Sequence, residues 1–255
     1  MCEYDIGLSE LVSLLDKRGA VCITGLIQKK WLDWARADVI SRLKRGNQSD
    51  QFVFNPAAVA GSAAHHLADD QSVRELLTGL AAARLRPPTD PHAAIDSALN
   101  IFAGPSQDRR TPRFHYDAHT VTMVVPLFMP GPDEGVTGQL VMFPNQRPFR
   151  PSVLVNIVEK ALTQNRLQSA RALRRIRRDR DDHILEMQPG NAYLFWGYRT
   201  YHGTLPSASN EVRATLLLHC GAPHGDSRLL AAAKWVRRRI KPLPPQHYIV
   251  DTPQQ

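Results

Sequence analysis

The sequence predicts a mainly β fold with flanking helices, a sandwich or jelly-roll barrel carrying a helical insertion before its last strands. Three observations predict it. From residue 95 onward, short segments rich in β-branched and aromatic residues recur between Gly/Pro turns. Helical periodicity is concentrated before residue 94, the order expected when packing helices precede a sheet. One stretch, residues 152–180, breaks the strand series with strong helix formers and neither Gly nor Pro.

The elements follow in order. Residues 8–18 carry apolar residues at helical spacing, with Ser9 expected as N-cap and Gly19 as the stop. Residues 20–24 read as a short strand ending at Gly25, and residues 28–45 as an amphipathic helix ending before Gly46. Residues 47–70 read as a long loop or irregular insertion. Residues 70–84 are helical again, until the Pro-rich segment 86–91 breaks them. Strands are then expected over 95–103, 114–127, 138–143, 183–187, 192–196 and 212–220. Residues 221–255 are expected to form a C-terminal helix and tail. No linker justifies a second domain, so one domain is expected over 1–255: packing region 1–94, core 95–220, tail.

Composition excludes several classes. With 255 residues, 43% hydrophobic and 22% charged, the chain can bury a real core. No run of 18 apolar residues occurs, so no spanning helix is expected. The first residues lack the pattern of a signal peptide. Three widely spaced cysteines (Cys2, Cys22, Cys220) form no CxxC, which argues against a disulfide scaffold or cysteine zinc site and suits a reducing cytoplasm. The net charge of +8 is local. Residues 160–182 and 234–241 each hold +5, leaving the remainder at −2. Two basic arms are attached to a nearly neutral body.

The chemistry concentrates in three places. In Phe114-His115-Tyr116-Asp117-Ala118-His119, an extended chain projects His115 and Asp117 to one face and supplies two adjacent ligands for an ion. Pro189-Gly190, a hydrophobic strand, Gly197 and then His202 at a strand edge supply a third. Two His and one carboxylate on one face leave open positions, the arrangement of non-haem Fe(II) oxygenases. Arg213 and Thr215 share a face of the strand 212–220, and a guanidinium with a hydroxyl suits a carboxylate. A buried Arg is costly unless an anion pairs with it. His119 could instead replace a ligand, or form a helical HxxxH pair with His115, although no Glu follows the first His. His65-His66 reads as a polar loop pair. His183, His219, His224 and His247 show no partner pattern and are expected to be structural or exposed.

Taken in order, His115-Tyr116-Asp117, residues 138–145, Pro189-Gly190 to His202, and Arg213 with Thr215 resemble the Fe(II)/2-oxoglutarate dioxygenases, most nearly the phytanoyl-CoA hydroxylase-like branch. The resemblance implies a double-stranded β-helix, with His115, Asp117 and His202 holding Fe(II). It implies 2-oxoglutarate chelating the metal with its far carboxylate on Arg213 and Thr215, and O2 as co-reactant. Thr204 and Asn100 are further candidates for cosubstrate contacts. The resemblance further implies hydroxylation or a similar oxidation of a small polar or anionic molecule, with release of succinate and CO2. Asn145-Gln146-Arg147 and the basic insertion depart from the family pattern where the substrate pocket is shaped. Two other readings stay open: a non-oxidative cupin-like metal-binding protein, and an anion- or nucleic-acid-binding module on a degenerate barrel. No nucleic-acid motif accompanies the basic arms, which disfavours the last. The Arg-rich segment 166–180 is either a solvated helix face or a capture surface for an anionic molecule.

Overall fold

The computed structural model describes residues 6–46, 48–85, 93–103, 114–131, 138–149, 166–179, 182–205 and 211–223. The expected C-terminal helix and the basic arm 234–241, the breaker 86–91, the first half of the helical insertion, Cys2, His224 and His247 lie outside the described residues.

Among the described residues, nine strands form two antiparallel sheets. The chain runs α1 (Leu8–Arg18), β1 (Ala20–Ile23), α2 (Lys29–Arg45), β2 (Gln51–Phe54), α3 (Ala63–Asp69), α4 (Gln71–Ala82), β3 (Asp96–Ala103), β4 (Val121–Phe128) and β5 (Leu140–Phe143). It continues through α5 (Arg166–Arg178), β6 (Ile184–Leu185), β7 (Ala192–Phe195), β8 (Tyr201–Thr204) and β9 (Val212–Cys220). The larger sheet has strand order β1-β7-β4-β9-β3-β2, the smaller β6-β5-β8. A lone antiparallel bridge, His115 to His202, adds one residue to the free side of β8.

Strand alternation sorts the side chains into layers. On the outer face of the large sheet, Met123, Leu194, Leu216 and Leu218 pack against Leu15, Val39, Leu77 and Leu80 of the helices. Burying each such side chain contributes about 1.5–3 kcal/mol. The intervening residues, Val124, Tyr193, Phe195 and Leu217, meet Leu140 and Met142 of the small sheet and fill the space between the sheets. Val141, Phe143 and Tyr201 point the other way, onto Ala172 and Ile176 of α5. The molecule is therefore helices, large sheet, small sheet, helix. Among the described residues no helix is long and apolar enough to cross a membrane.

Several expectations are corrected. Helix α1 is capped by Gly7 with no side-chain cap, so Ser9 lies inside it. Residues 47–70 are not one loop. They contain β2, a 3₁₀ turn at Pro56–Ala58 and α3, whose N-cap Ser62 accepts a bond from the His65 amide. Four-residue strands and seven-residue helices leave too little periodicity to read. The segment 114–127 is not strand throughout. Regular pairing starts at Val121, because the Asp117 and Thr120 amides are taken by the Gly197 and Gly221 carbonyls instead. Pro126 sits in a strand flanked on both sides, which is tolerated because β7 pairs only with residues 122–124 and the β9 register shifts after Pro126.

Candidate metal centre

His115, Asp117 and His202 come together between the sheets. Each offers one ligand atom, and all three atoms lie within 4.8 Å of one another. Asp117 Oδ1 is 3.4 Å from His115 Nε2 and 3.5 Å from His202 Nε2. Donors sharing one ion at roughly 2.0–2.2 Å stand about 3 Å apart along an edge of the coordination sphere, so the two separations to Asp117 are already close to that edge length. The bridge that joins His115 to His202 does the local positioning. Its two hydrogen bonds, His115 N–H to the His202 carbonyl (2.8 Å) and His202 N–H to the His115 carbonyl (3.0 Å), bring the rings to 4.5 Å.

The protonation states suit a cation. His202 Nδ1 lies 3.0 Å from the Thr200 carbonyl, so it carries the proton and leaves the Nε2 lone pair toward Asp117. Burial, against the pull of Asp117, pushes His202 down to about 4. Burial alone would raise the Asp117 carboxyl, but the imidazoles of His202, His115 and His219 prevail and hold it well below the usual carboxylate range. At neutral pH Asp117 is a carboxylate and His202 a neutral imidazole. The His115 side chain is 50% exposed while Asp117 and His202 are buried, which leaves one side of the trio open.

Two further residues orient Asp117. The Thr122 hydroxyl donates to Asp117 Oδ2 at 2.5 Å and lies 3.1 Å from His219 Nδ1, which in turn donates to it. Oδ2 is thereby occupied and Oδ1 faces the two imidazoles. The backbone approaches this cluster so closely that a Cβ at Gly197 would stand 2.2 Å from Thr122 Oγ1 and 2.6 Å from Asp117 Oδ2. Only glycine fits. Thr122 and His219 escaped the sequence reading, which set His219 among the structural or exposed histidines. They are a cross-strand pair of β4 and β9, so their meeting depends on a register that one strand alone does not reveal. His119 is no ligand. It stacks on His219 at 5.3 Å and its Nε2 bonds Asp96 Oδ2 at 2.8 Å, and residues 114–120 are not helical, which removes the HxxxH alternative.

Arg213 and Thr215 are both buried in β9, on the face that carries Leu217 and His219. The Arg213 guanidinium lies 5.5 Å from the centre of the Phe102 ring. Gly138, at φ +69°, lets the chain entering β5 cross the Arg213 stem, since a Cβ there would be 2.9 Å from its Cδ. Asn100 pairs in register with Thr215, and Thr204 shares the His202 face of β8. Arg147, one of the departures from the family pattern, is buried between Tyr116 and Tyr198 and donates to the Tyr198 carbonyl at 2.5 Å.

No family model and no curated protein matches the sequence. Solved structures do. The epimerase SnoN, in a complex with Fe3+, alpha ketoglutarate (2-oxoglutarate) and nogalamycin RO, matches at 14% identity over 84% of this chain and 84% of its own, with a TM-score of 0.54. The alpha ketoglutarate dependent carbocyclase SnoK from nogalamycin biosynthesis matches at 14% identity over 89% and 91%, with a TM-score of 0.53. A Pseudomonas putida prolyl-4-hydroxylase matches at 17% identity over 84% and 97%, with a TM-score of 0.51. At these identities the likeness is one of fold. The chain has the antiparallel β jelly-roll fold with flanking helices that these enzymes share.

Proposed function

We propose that the protein is a non-haem Fe(II)/2-oxoglutarate-dependent oxygenase acting on a small, polar or anionic molecule. One observation carries the reading: a buried carboxylate and two imidazoles converge between the sheets of this fold, and one side of the trio stays open. The donor set suits the metal, and the glycine at 197 leaves room for the Asp117 carboxylate and its Thr122 partner. His115, Asp117 and His202 hold the iron, with Thr122 and His219 keeping Asp117 turned toward it. Arg213 and Thr215 take the far carboxylate of 2-oxoglutarate, with Thr204 and Asn100 as further contacts. Bound iron with 2-oxoglutarate supplies O2-driven oxidation of the substrate, with succinate and CO2 as the other products. The apolar walls of Val124, Met142, Tyr193 and Phe195 exclude water around the centre. The phytanoyl-CoA hydroxylase-like affinity rests on the sequence motifs, and hydroxylation is the outcome proposed.

Anaerobic addition of Fe(II) and then 2-oxoglutarate tests this. A visible charge-transfer band is expected, absent in Asp117→Ala and His202→Ala. Arg213→Ala should need roughly 10- to 100-fold more 2-oxoglutarate, the worth of a charge-assisted hydrogen bond, with Fe(II) affinity unchanged. Folded, iron-loaded protein without the band, or equal loss of both ligands in Arg213→Ala, overturns the reading.

A further inference from the structure

A cavity of about 560 Å³ lies between α5 and the outer face of the small sheet. Its volume falls within the usual range for small-molecule sites. Tyr116, Phe143 and Tyr201 line one wall; Gln168, Arg171 and Arg175 of α5 line the other. It is not the metal centre. Phe143 pairs in register with Tyr201, and Met142 with His202, so alternation sends the aromatic pair outward and His202 inward. Tyr116, between His115 and Asp117, turns outward in the same way.

The two walls ask for different things. On α5, Gln168, Arg171 and Arg175 follow one another at spacings of three and four, with Arg174 beside them. Three guanidiniums within one turn repel each other, and α5 contains no acidic residue. None of the three meets a carboxylate among the described residues. Several arginines elsewhere meet a carboxylate: Arg42 on Asp38, Arg74 on Asp69, Arg84 and Arg199 on Asp16. Across the cavity the Tyr116 and Tyr201 rings stand 5.2 Å apart at 44°, and Arg147 holds Tyr116 from behind at 4.1 Å. Such rings favour a flat apolar partner. Ala172, small and buried beneath the arginines, keeps the space open.

We propose that this cavity is a second binding site, separate from the metal centre, for a small aromatic anion: a planar ring bearing a phosphate, sulfonate or carboxylate. The ring lies against Tyr116 and Tyr201, and the acid is held by Arg171, Arg174 and Arg175. Gln146 and Gln168 line the same space and can bond polar substituents on the ring. A bare anion leaves the aromatic wall uncovered, and a neutral ring leaves the guanidiniums unmatched. The proposal does not depend on the iron assignment.

The full chain is titrated by calorimetry with 1-naphthyl phosphate, 1-naphthol and inorganic phosphate. Naphthyl phosphate should bind at least about tenfold tighter than either fragment. The double variant Arg171→Gln/Arg175→Gln changes exposed residues and should bind it about tenfold more weakly, while keeping the Fe(II)/2-oxoglutarate band of the unaltered chain. Ala172→Leu should weaken binding by filling the space, which places the site independently of charge. Prior loading with Fe(II) and 2-oxoglutarate should leave the affinity unchanged. Equal affinity for phosphate and naphthyl phosphate, competition by 2-oxoglutarate, indifference to the arginine substitutions, or no binding each overturns the proposal. None of these outcomes bears on the iron reading, which the band tests separately.

Discussion

The two outer faces of the sandwich are built on opposite terms. The large sheet is covered by four helices whose Leu15, Val39, Leu77 and Leu80 are buried without residual exposure. Charge on that side is matched, with Asp16 of α1 accepting from Trp196 Nε1 at 3.0 Å and from Arg199 at 3.1 Å, and pairing with Arg84. The described cover of the small sheet is one helix, which buries Ala172 and Ile176 and keeps a cavity and a row of guanidiniums beside them. The difference teaches where stability resides. A face that closes its packing and pairs its charges holds the fold, and a face that leaves both open is free to bind.

The contrast can be broken by substitution. The largest effect is expected at Leu77→Ala, about 2–5 kcal/mol from lost burial and the void left behind, whereas Ala172→Leu should stay within about 1 kcal/mol because space already exists beside it. Urea unfolding of the pair decides; equal costs would show that both faces are closed. Next comes pH. Between the sheets His202 stays neutral down to about 4 and burial also lowers His219, while an unfolded chain takes up those protons near 6.5. Stability is therefore full above about pH 6.5 and falls as pH drops toward 4. Urea midpoints at pH 7, 6 and 5 should show this fall in Arg174→Gln as in the unaltered chain, and less of it in His202→Phe. Asp16→Asn should cost about 1 kcal/mol, the partly exposed pairing being screened by water. The smallest effect belongs to Arg174→Gln, within about 0.5 kcal/mol and stabilising at low salt, because it removes like-charge repulsion. A larger loss there would mean that α5 is held by its arginines.

Much of the fold could be read from local pattern. The strand expected over 212–220 is β9 with the same bounds, because the segment holds neither Gly nor Pro and stops at Gly221. His115 and Asp117 were legible as a same-face pair, and His202 as a lone His after a Gly-punctuated strand. The space around them was not. Thr122 reaches His219 across a strand pair, and Gly197 matters only because Asp117 folds back beneath it. The Arg-rich helix was visible, but not the rings opposite it, since Tyr116 and Tyr201 come from segments 85 residues apart in the chain, 50 residues before the start of α5 and 23 after its end. Local periodicity reports which face a residue takes; what it meets there depends on register and on helix placement.

The single rung between His115 and His202 has a kinetic corollary. Two of the three candidate ligands are tied to each other by backbone, with no longer ladder beside them among the described residues, so that rung is the natural seam along which the centre would unzip. Its two amide protons should exchange with deuterium together, slowly when an ion clamps the imidazoles and faster in its absence. A mass-spectrometric clock at those two positions would thus time the opening of the centre without any turnover.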